Sequence, residues 1–303
     1  MKHLFIVNPA AGGKDHTIEV QAKVRAAFDG RSDSYEVYVT KAPLDAVTKI
    51  KEEAAKGESL RVYACGGDGT FNECVCGAAM LENVAVAPFP TGTGNDFCRM
   101  FGEEAELFRD LNALLDGKEH PMDLIDCNGR YSANICSVGF DARVGVDVHK
   151  YSNIPLIGGA TGYVVSLIAN IAGGLTRNMR ITCGDYSAAG QHTLVCACNG
   201  RYYGGGFNPS LSAMPDDGIL DIFIIDKVNL LDLVMLIGRY ASGKADEIKK
   251  HIIHLKGQEV TIEFDEDNVV NVDGEAMYTE KVTMRVVPAA TKIVVPKGMK
   301  FFD

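Results

Sequence analysis

The chain has 303 residues, of which 47% are hydrophobic and 23% are charged. These values are typical of a globular protein and exclude a disordered, collagen-like or coiled-coil chain. The 30 basic residues are outnumbered by 40 acidic ones, giving a net charge of −10. No nucleic acid partner is therefore expected, because sequence-independent binding needs Lys and Arg to neutralise phosphates. The length predicts two domains.

The N-terminus carries only four consecutive apolar residues, 4–7, which is too few for the core of a secretory signal. The nine cysteines are an odd number, and none has the spacing of a zinc site. Reduced thiols in a reducing compartment are the simplest interpretation. We therefore expect a cytoplasmic protein.

The first third of the chain alternates apolar runs with helical patterns. The runs at 4–7, 35–40, 60–65 and 84–87 predict strands, and the patterns at 15–28, 44–56 and 72–80 predict helices. Such alternation is typical of a parallel β-α-β sheet covered on both faces. Ligands of these sheets bind at the carboxyl ends of the strands, where three glycine-containing loops are expected here.

The loop after the third predicted strand reads Gly66-Gly67-Asp68-Gly69-Thr70. Glycines let backbone N–H groups approach phosphate oxygens, and the N-terminus of the following helix favours an anion. An aspartate in such a loop repels phosphate unless a cation lies between them, which indicates Mg²⁺. The loop matches neither the P-loop nor the G-x-G-x-x-G pattern.

The other two loops contain compatible residues. Residues 8–14 include two glycines and Lys14, and residues 91–96 include hydroxyls, glycines and Asp96. Because the three predicted strands share one sheet, we interpret the three loops as a single phosphate-binding constellation.

After about residue 125 the pattern changes to short β-like segments separated by turns, among them 259–264, 269–272 and 282–287, with one strong helical pattern at 230–240. This predicts a β-sandwich or a distorted barrel. The expected fold class is thus α/β, with an α/β nucleotide-binding domain at 1–125 and a β-sandwich domain at 126–290. Residues 291–303 are expected to pack back onto the first domain.

Residues 154–175 contain no charge but have five glycines, which disfavours a membrane-spanning helix. An amphipathic or buried helix at 163–171 is the preferred interpretation. A pocket wall or a membrane-facing patch remains the alternative.

Four sequence segments together resemble the diacylglycerol kinase catalytic family. They are Asn8-Pro9 with Gly12, the run from Gly66 to Glu73, Gly92-Thr93-Gly94-Asn95-Asp96-Phe97, and Asp273-Gly274-Glu275. This family includes bacterial soluble lipid kinases and the sphingosine and ceramide kinases, and NAD kinases are more distant relatives. The resemblance implies an ATP- and Mg²⁺-dependent lipid kinase, with diacylglycerol as the expected acceptor and phosphatidic acid as the product.

The resemblance also implies roles for individual residues. Glu275 would be the catalytic base, with Asp273 as the second candidate, and in an extended chain both would point to the same side. Asp96 and Asp123 would support the Mg-ATP network, with a solvated turn aspartate as the alternative for Asp123. A structural Mg²⁺ would be held by Met214, Asp217 and Ile219. From the residues alone, Asp217-Gly218 and Asp273-Gly274 are also simple hairpin signals. The ATP contacts implied are Asn8, Pro9, Ala10, Ala11, Gly12, Thr40, Gly67, Asp68, Gly69, Thr70, Phe71, Asn72, Glu73 and Thr93.

The expected partners are a lipid substrate and the inner face of a membrane, contacted peripherally through residues 154–175 or through Lys249 and Lys250. A homodimer is the default expectation for a soluble enzyme. Three alternatives remain open at this point. They are an NAD kinase-like or other small-molecule kinase, a non-catalytic protein that senses nucleotide or lipid, and, with the weakest support, a redox dinucleotide enzyme.

Overall fold

The computed structural model describes residues 1–91, 95–152, 166, 169–242, 244 and 250–303. These residues form two compact units, one of Met1–Leu124 with Pro288–Asp303 and the other of Ile125–Val287. The first unit alternates strands and helices, and the second is built mainly from antiparallel strands. The α/β fold class with a β-sandwich-like second part, expected from the sequence, is confirmed.

The first unit is organised around a parallel sheet with the strand order β4-β3-β1-β2. The last part of the long strand β13 (Glu275–Val295) pairs with β4 in parallel, with Ile293 opposite Val86. Almost every residue of the three central strands is buried, as expected for a sheet covered on both faces. The four strands are β1 (Lys2–Val7), β2 (Ser34–Val39), β3 (Leu60–Gly66) and β4 (Val84–Pro90).

Helices follow the strands of this sheet. The largest boundary difference from the sequence prediction concerns the helix expected at 72–80, which begins at Asp68. Gly67 is its N-cap residue, and the Phe71 N–H donates to the Gly67 carbonyl at 3.0 Å. The phosphate-loop signature therefore includes the first helical turn. The helices are α1 (Thr17–Ala27), α2 (Asp45–Ala54), α3 (Asp68–Ala78), α4 (Asp96–Arg99) and α5 (Leu111–Leu115), with 3₁₀ segments at Ala11–Gly13 and Gly102–Arg109.

A buried carboxylate ties α2 to β1. Glu53, with 4% of its side chain exposed, accepts hydrogen bonds from the ammonium groups of Lys2, Lys49 and Lys56 at 2.7, 2.8 and 2.7 Å. Burial by itself would raise the pKa of Glu53, but these three donors outweigh it and lower the pKa to about 2. The folded state is therefore stabilised by keeping this carboxylate charged.

Replacing Glu53 by Gln is expected to lower the free energy of unfolding at pH 7 by about 3 kcal/mol, the equivalent of the shift in its pKa. Because the folded pKa lies below the ordinary value of 4.5, this stabilisation is present above that value and is lost as the pH falls toward 2. Urea unfolding at pH 7 and at about pH 3 measures the difference. Glu52→Gln, an exposed neighbour on the same helix, is the control. If Glu53→Gln lowered the free energy of unfolding equally at both pH values, the stabilisation would not come from the charge of this carboxylate.

The second unit is an antiparallel β structure with the strand order β11-β10-β9-β7-β12-β13. Strand β8 pairs with both β9 and β12, and β6 pairs with the end of β5. Its strands are β5 (Lys118–Cys127, which enters from the first unit), β6 (Arg130–Ser132), β7 (Ile135–Gly139), β8 (Arg177–Cys183), β9 (Tyr186–Cys198), β10 (Leu220–Asp226), β11 (Ile252–Gly257), β12 (Glu259–Val272) and β13.

Some strands are longer than the sequence predicted. The two strands expected at 259–264 and 269–272 form the single strand β12, whose pairing with β13 shifts register between Glu263 and Asn268. The segment at 282–287 is part of β13 and not a separate strand. The charged run between 263 and 268 thus marks an irregularity within a strand, where the sequence prediction separated two strands.

The sequence prediction also missed one helix in this half of the chain. Besides α7 (Leu230–Ala241), the structure has α6 (Phe140–Ser152). Phe140 and Val144, one helical turn apart, are both buried in the core. Alternating valines at 144, 146 and 148 and a glycine at 145 favour a strand by local preference, which explains why this helix was missed.

Two separate apolar cores form because successive side chains of a strand face opposite sides. Val195 and Ala197 of β9 belong to the core between the β layers, whereas Leu194 and Cys196 belong to the core beneath α6 and α7. The alternation on β10 is the same. The second core also includes Phe140, Val144, Phe223, Ile225, Leu233 and Leu236.

Across the ranges described above, no helix is both long enough and apolar enough to cross a bilayer. The uncharged stretch 154–175, with the helix predicted at 163–171, lies mostly outside the described residues, and Lys249 lies outside them as well.

Candidate active site

A side-chain hydrogen bond connects the loop after β1 to the start of α3. Asn8 Nδ2 donates to Thr70 Oγ1 at 3.2 Å, and Asn8 Oδ1 accepts from the Ala10 N–H at 3.0 Å. The loop then forms the 3₁₀ segment Ala11–Gly13, in which Gly12 has a φ of 69°. This left-handed conformation favours glycine, so the sequence of the loop follows from its backbone geometry.

Thr40 lies directly after β2 and donates through its N–H to the Val7 carbonyl at 2.9 Å. Val7 is the last residue of β1. The predicted ATP contacts of the first loop and Thr40 therefore lie at the carboxyl ends of two neighbouring strands, as expected for a parallel sheet. These contacts are Asn8, Pro9, Ala10, Ala11, Gly12 and Thr40.

The glycines of the loop after β3 have different functions. A Cβ atom at Gly66 would lie 2.3 Å from Thr70 Oγ1, so the close approach of the helix requires glycine there. A Cβ atom at Gly67 or Gly69 would have nothing within 4 Å. The space beside these two residues is therefore open at the N-terminus of α3, which is the geometry needed for a phosphate to approach backbone N–H groups.

Asp68 connects this loop to the third one. Asp68 Oδ2 accepts from the Asn95 N–H at 2.8 Å, and Oδ1 accepts from the Phe97 N–H at 3.1 Å. The rings of Phe71 and Phe97 pack with centroids 4.6 Å apart. The structure thus brings the second and third loops together, and each carboxylate oxygen keeps a further lone pair for a cation. Thr93, a predicted ATP contact, lies outside the described residues.

The two supporting aspartates are both buried. Asp96 pairs with Arg99, with 3.3 Å between Asp96 Oδ1 and Arg99 Nε. Asp123 Oδ1 accepts from the Ala289 N–H at 2.7 Å. Asp123 lies within β5 and is 3% exposed, so the alternative of a solvated turn aspartate is wrong. Their part in a Mg-ATP network stays a prediction.

The donor atoms of the first unit fit Mg²⁺ and a nucleotide. Among the described residues, the buried Asn72 Oδ1 has no hydrogen-bond partner, and it lies one turn after Asp68 on α3. The same part of the chain contains no group of three His, Cys, Asp or Glu side chains placed to hold a metal. A cation beside Asp68 would therefore need water and phosphate oxygens to complete its shell, which is the usual coordination of Mg²⁺. Phe71, Asn72 and Glu73 follow Asp68 in α3.

In the second unit, Asp273 and Gly274 form a two-residue hairpin turn between β12 and β13, with φ angles of 47° and 95°. The Asp273 carboxylate accepts from the backbone N–H groups of Ala133, Asn134 and Ile135 at 2.8, 3.2 and 2.8 Å. Loss of hydration raises the pKa of Asp273 to about 6, although these donors favour its charged form. Asp273 therefore fixes the connection between β6 and β7.

This turn corrects one sequence expectation. Asp273 and Glu275 were expected to point to the same side of an extended strand, but Asp273 lies in the turn and Glu275 is the first residue of β13. Glu275 is exposed, and nothing in the described part of the chain forms a hydrogen bond with its carboxylate. Of the two candidate bases, Glu275 is thus the more exposed.

Two family profiles match the chain over nearly its full length. Residues 2–127 match the "Diacylglycerol kinase catalytic domain", and residues 134–295, more than half of the chain, match the "YegS C-terminal NAD kinase beta sandwich-like domain". The chain belongs to the diacylglycerol kinase catalytic family. It is a kinase, and the resemblance seen in its sequence is confirmed.

Relatives of this kinase extend over both units. A protein of Pseudomonas aeruginosa named "Probable lipid kinase YegS-like" is 28% identical, with 98% of this chain and 95% of the relative covered. A protein of the same name from Shewanella frigidimarina is 27% identical, with 94% and 92% covered. A solved structure described as a diacylglycerol kinase from Bacillus anthracis is 25% identical, with a TM-score of 0.72 and 99% and 98% of the two chains covered.

The loop predicted to hold a structural Mg²⁺ precedes β10 of the kinase. Asp217 Oδ1 accepts from the Ile219 N–H at 3.0 Å, so the carboxylate folds back over its own turn. Arg201 donates to the Ala213 carbonyl at 2.8 Å and to Met214 Sδ at 3.1 Å. One carboxylate with the carbonyls of Met214 and Ile219 is an oxygen donor set that suits a hard cation. Magnesium at this loop stays a prediction.

The second unit also contains an apolar pocket that the sequence reading missed. It encloses about 50 Å³ of space, which is less than the about 300–1,000 Å³ usual for small-molecule sites, so only a narrow chain would enter it. Its wall comes from α6, α7 and the strands beneath them. The lining residues are Phe140, Asp141, Val144, Thr193, Leu194, Tyr203, Phe207, Ile225, Leu233, Leu236 and Ile237.

One carboxyl group interrupts this apolar wall. Asp141 accepts from Ser137 Oγ at 2.7 Å, and Tyr203 also forms a hydrogen bond with it. Loss of hydration raises the pKa of Asp141 to about 6 despite these two donors. The sequence of α7 contained one signal for this pocket. Its apolar residues occupy more than one face of the helix, and each apolar face needs other side chains to cover it.

Proposed function

We propose that this kinase transfers the γ-phosphate of Mg-ATP to the hydroxyl of a lipid, with diacylglycerol as the acceptor and phosphatidic acid as the product. The observation that carries the proposal is the apolar pocket of the second unit, the unit that also bears Glu275. Relatives named as lipid kinases support the acceptor class.

The first unit supplies the nucleotide side of this proposal. Open space beside Gly67 and Gly69 at a helix N-terminus suits a phosphate group, and Asp68 offers a carboxylate to the metal that accompanies it. Phosphoryl transfer depends mainly on positioning and on neutralising charge at the phosphate oxygens. When bound, Mg²⁺ would supply that neutralisation, while Asn8 and Thr70 hold the loops in place.

The second unit supplies the acceptor side. A pocket lined almost entirely by aliphatic and aromatic side chains suits an acyl chain, whereas a dinucleotide would bring charged phosphates into it. This observation favours a lipid over NAD as the acceptor. The exposed carboxylate of Glu275 would orient the lipid hydroxyl and accept its proton. A membrane that presents the lipid is part of this proposal, and a homodimer stays a prediction.

A direct test incubates the purified protein with γ-labelled ATP, with and without Mg²⁺, and with one acceptor at a time. Diacylglycerol, phosphatidylglycerol, sphingosine and NAD form the panel. Labelled phosphatidic acid that depends on Mg²⁺ is the expected result. Label in another lipid would retain the lipid kinase and replace the acceptor, and label only in NADP, or ATP binding without any labelled product, would overturn the proposal.

Filling the pocket is expected to discriminate between acceptors by chain length. Ile237→Trp should displace a few methylene groups of a long chain, each worth about 0.8 kcal/mol, and should lower kcat/KM at least about tenfold for a long-chain diacylglycerol. A short-chain diacylglycerol that does not reach the filled part should lose less than about threefold. Steady-state kinetics with both acceptors in detergent micelles gives the ratio. An equal loss with both would mean that acyl chains do not enter this pocket.

A further inference from the structure

Helix α7 presents apolar side chains on two opposite faces. Leu233 and Leu236 are buried and line the apolar pocket together with Ile237. The opposite face is exposed to solvent and is equally apolar. Its four side chains, called here the outer face of α7, are Leu230, Leu231, Val234 and Met235, which are 47%, 77%, 66% and 66% exposed.

The outer face is a continuous surface. At about 100° per residue, its four side chains lie within an arc of about 140° around the helix. Single exposed apolar residues are normal on a protein surface, but a contiguous group marks a place of interaction. A helix with apolar side chains on two faces requires cover on both of them, and the pocket side of α7 is the one already covered.

The charges around α7 suit an anionic surface. Lys227 precedes the helix, and Arg239, Lys244 and Lys250 lie at or beyond its C-terminal end, all four exposed. Two acidic residues in the described part of the chain, one just before α7 and one within it, each lie near a histidine. Asp226 lies 3.3 Å from His192, and Asp232 lies 3.7 Å from His251. An amphipathic segment with basic residues at its border is typical of binding to anionic lipid headgroups.

We infer that the outer face of α7 docks onto the surface of a bilayer that contains anionic lipid. The inference rests on the proposed lipid kinase function, because the pocket behind the same helix would then receive an acyl chain directly from that bilayer. Leu231 and Met235 enter the boundary between headgroups and acyl chains, and Leu233 and Leu236 guide the chain inward. This surface differs from residues 154–175 and from Lys249 and Lys250, which the sequence reading had suggested.

Co-sedimentation with vesicles of phosphatidylcholine and phosphatidylglycerol tests the inference. The double variant Leu231→Gln, Met235→Gln is expected to bind about thirtyfold more weakly than the wild type, and Leu231→Gln alone about fivefold more weakly. Ile18→Gln is the matched control, since Ile18 is also an exposed apolar residue of a helix, in the first unit. It should bind like the wild type.

Activity on two forms of the same substrate separates this inference from the proposed function. The double variant should phosphorylate a short-chain diacylglycerol in solution at the wild-type rate and lose activity only on vesicles. If no form of the protein phosphorylates any lipid, the proposed function fails, while the vesicle-binding comparison still decides the docking surface. Equal vesicle binding by wild type and double variant would overturn the inference. So would self-association of the wild type, seen by analytical ultracentrifugation, that the double variant loses, because a second copy would then cover the outer face.

Discussion

Replacing Asp68 by Asn is expected to lower kcat/KM for phosphoryl transfer at least about a hundredfold, because a carboxylate that attracts the metal and aligns the phosphates acts in the transition state. The structure adds a second reason for the loss. The Asp68 carboxylate accepts from the Asn95 and Phe97 N–H groups at 2.8 and 3.1 Å. An asparagine would turn an NH₂ group toward one of these donors, which would loosen the contact between the second and third loops.

Asp110→Asn is the matched control, which tests whether replacing a carboxylate that accepts from backbone N–H groups is enough to lower activity. Asp110 is also a carboxylate that accepts from two backbone N–H groups, those of Asn112 and Ala113, at the start of α5. Its replacement should change stability by only about a few tenths of a kcal/mol, because Asn caps a helix as well as Asp does and its side-chain oxygen can accept both bonds, and it should leave activity unchanged. Enzyme kinetics and urea unfolding of both variants give the comparison. If Asp68→Asn keeps activity within about threefold of the wild type, Asp68 has no part in the transition state.

Isothermal titration with ATP distinguishes a metal contact from loop positioning. If Asp68 mainly holds Mg²⁺, the variant should bind free ATP like the wild type and lose the additional affinity that Mg²⁺ confers. If Asp68 mainly joins the loops, affinity should fall equally with and without Mg²⁺. We expect ATP affinity to fall under both conditions and to fall more in the presence of Mg²⁺. Each carboxylate oxygen of Asp68 has a second lone pair for the metal, beyond the one used by the backbone N–H group.

The first unit could be predicted from local patterns because its signals are contiguous in sequence. The apolar run of β1 and the glycines after β3 each reflect a nearby backbone requirement, such as the close approach of Thr70 to Gly66. The hydrogen bonds of Asp68 could not be predicted, since they join residues 27 and 29 positions apart in the chain. Only the topology of a parallel sheet indicated that these loops would meet.

The second unit was harder to predict for a physical reason. Valines at 144 and 146 favour a strand locally, yet Phe140 and Val144 form a helix because tertiary burial outweighs that preference. The apolar pocket draws on segments from Phe140 to Ile237, so no local window contains it. The turn at Asp273-Gly274 was readable, because Asp-Gly is a strong signal for a two-residue hairpin. The prediction of an extended segment at residues 273–275 was therefore wrong, because the Asp-Gly pair indicated a turn.

Glu275→Gln is expected to lower kcat at least about a hundredfold, which is the usual contribution of a general base. A lipid hydroxyl is a weak nucleophile at neutral pH, so a carboxylate must orient it and accept its proton as the bond to phosphorus forms. Because Glu275 is exposed, its replacement should change the free energy of unfolding by less than about 0.5 kcal/mol. ATP affinity should not change. Glu280→Gln, another exposed glutamate on β13, is the matched control and should behave like the wild type.

Asp273→Asn is expected to behave differently from Glu275→Gln, although both lie beside the same turn. Asp273 accepts three backbone N–H groups, so an amide in its place leaves at least one donor unpaired and should cost about 1–3 kcal/mol of stability. An acceptor lipid whose hydroxyl is made more acidic by neighbouring fluorine atoms then identifies the base. Removing the base should matter less for that acceptor, so Glu275→Gln should recover part of its lost rate with it, whereas Asp273→Asn should not. If the recovery occurs in Asp273→Asn and not in Glu275→Gln, the base is Asp273, and the three backbone donors serve to orient it rather than to fix the β6–β7 connection.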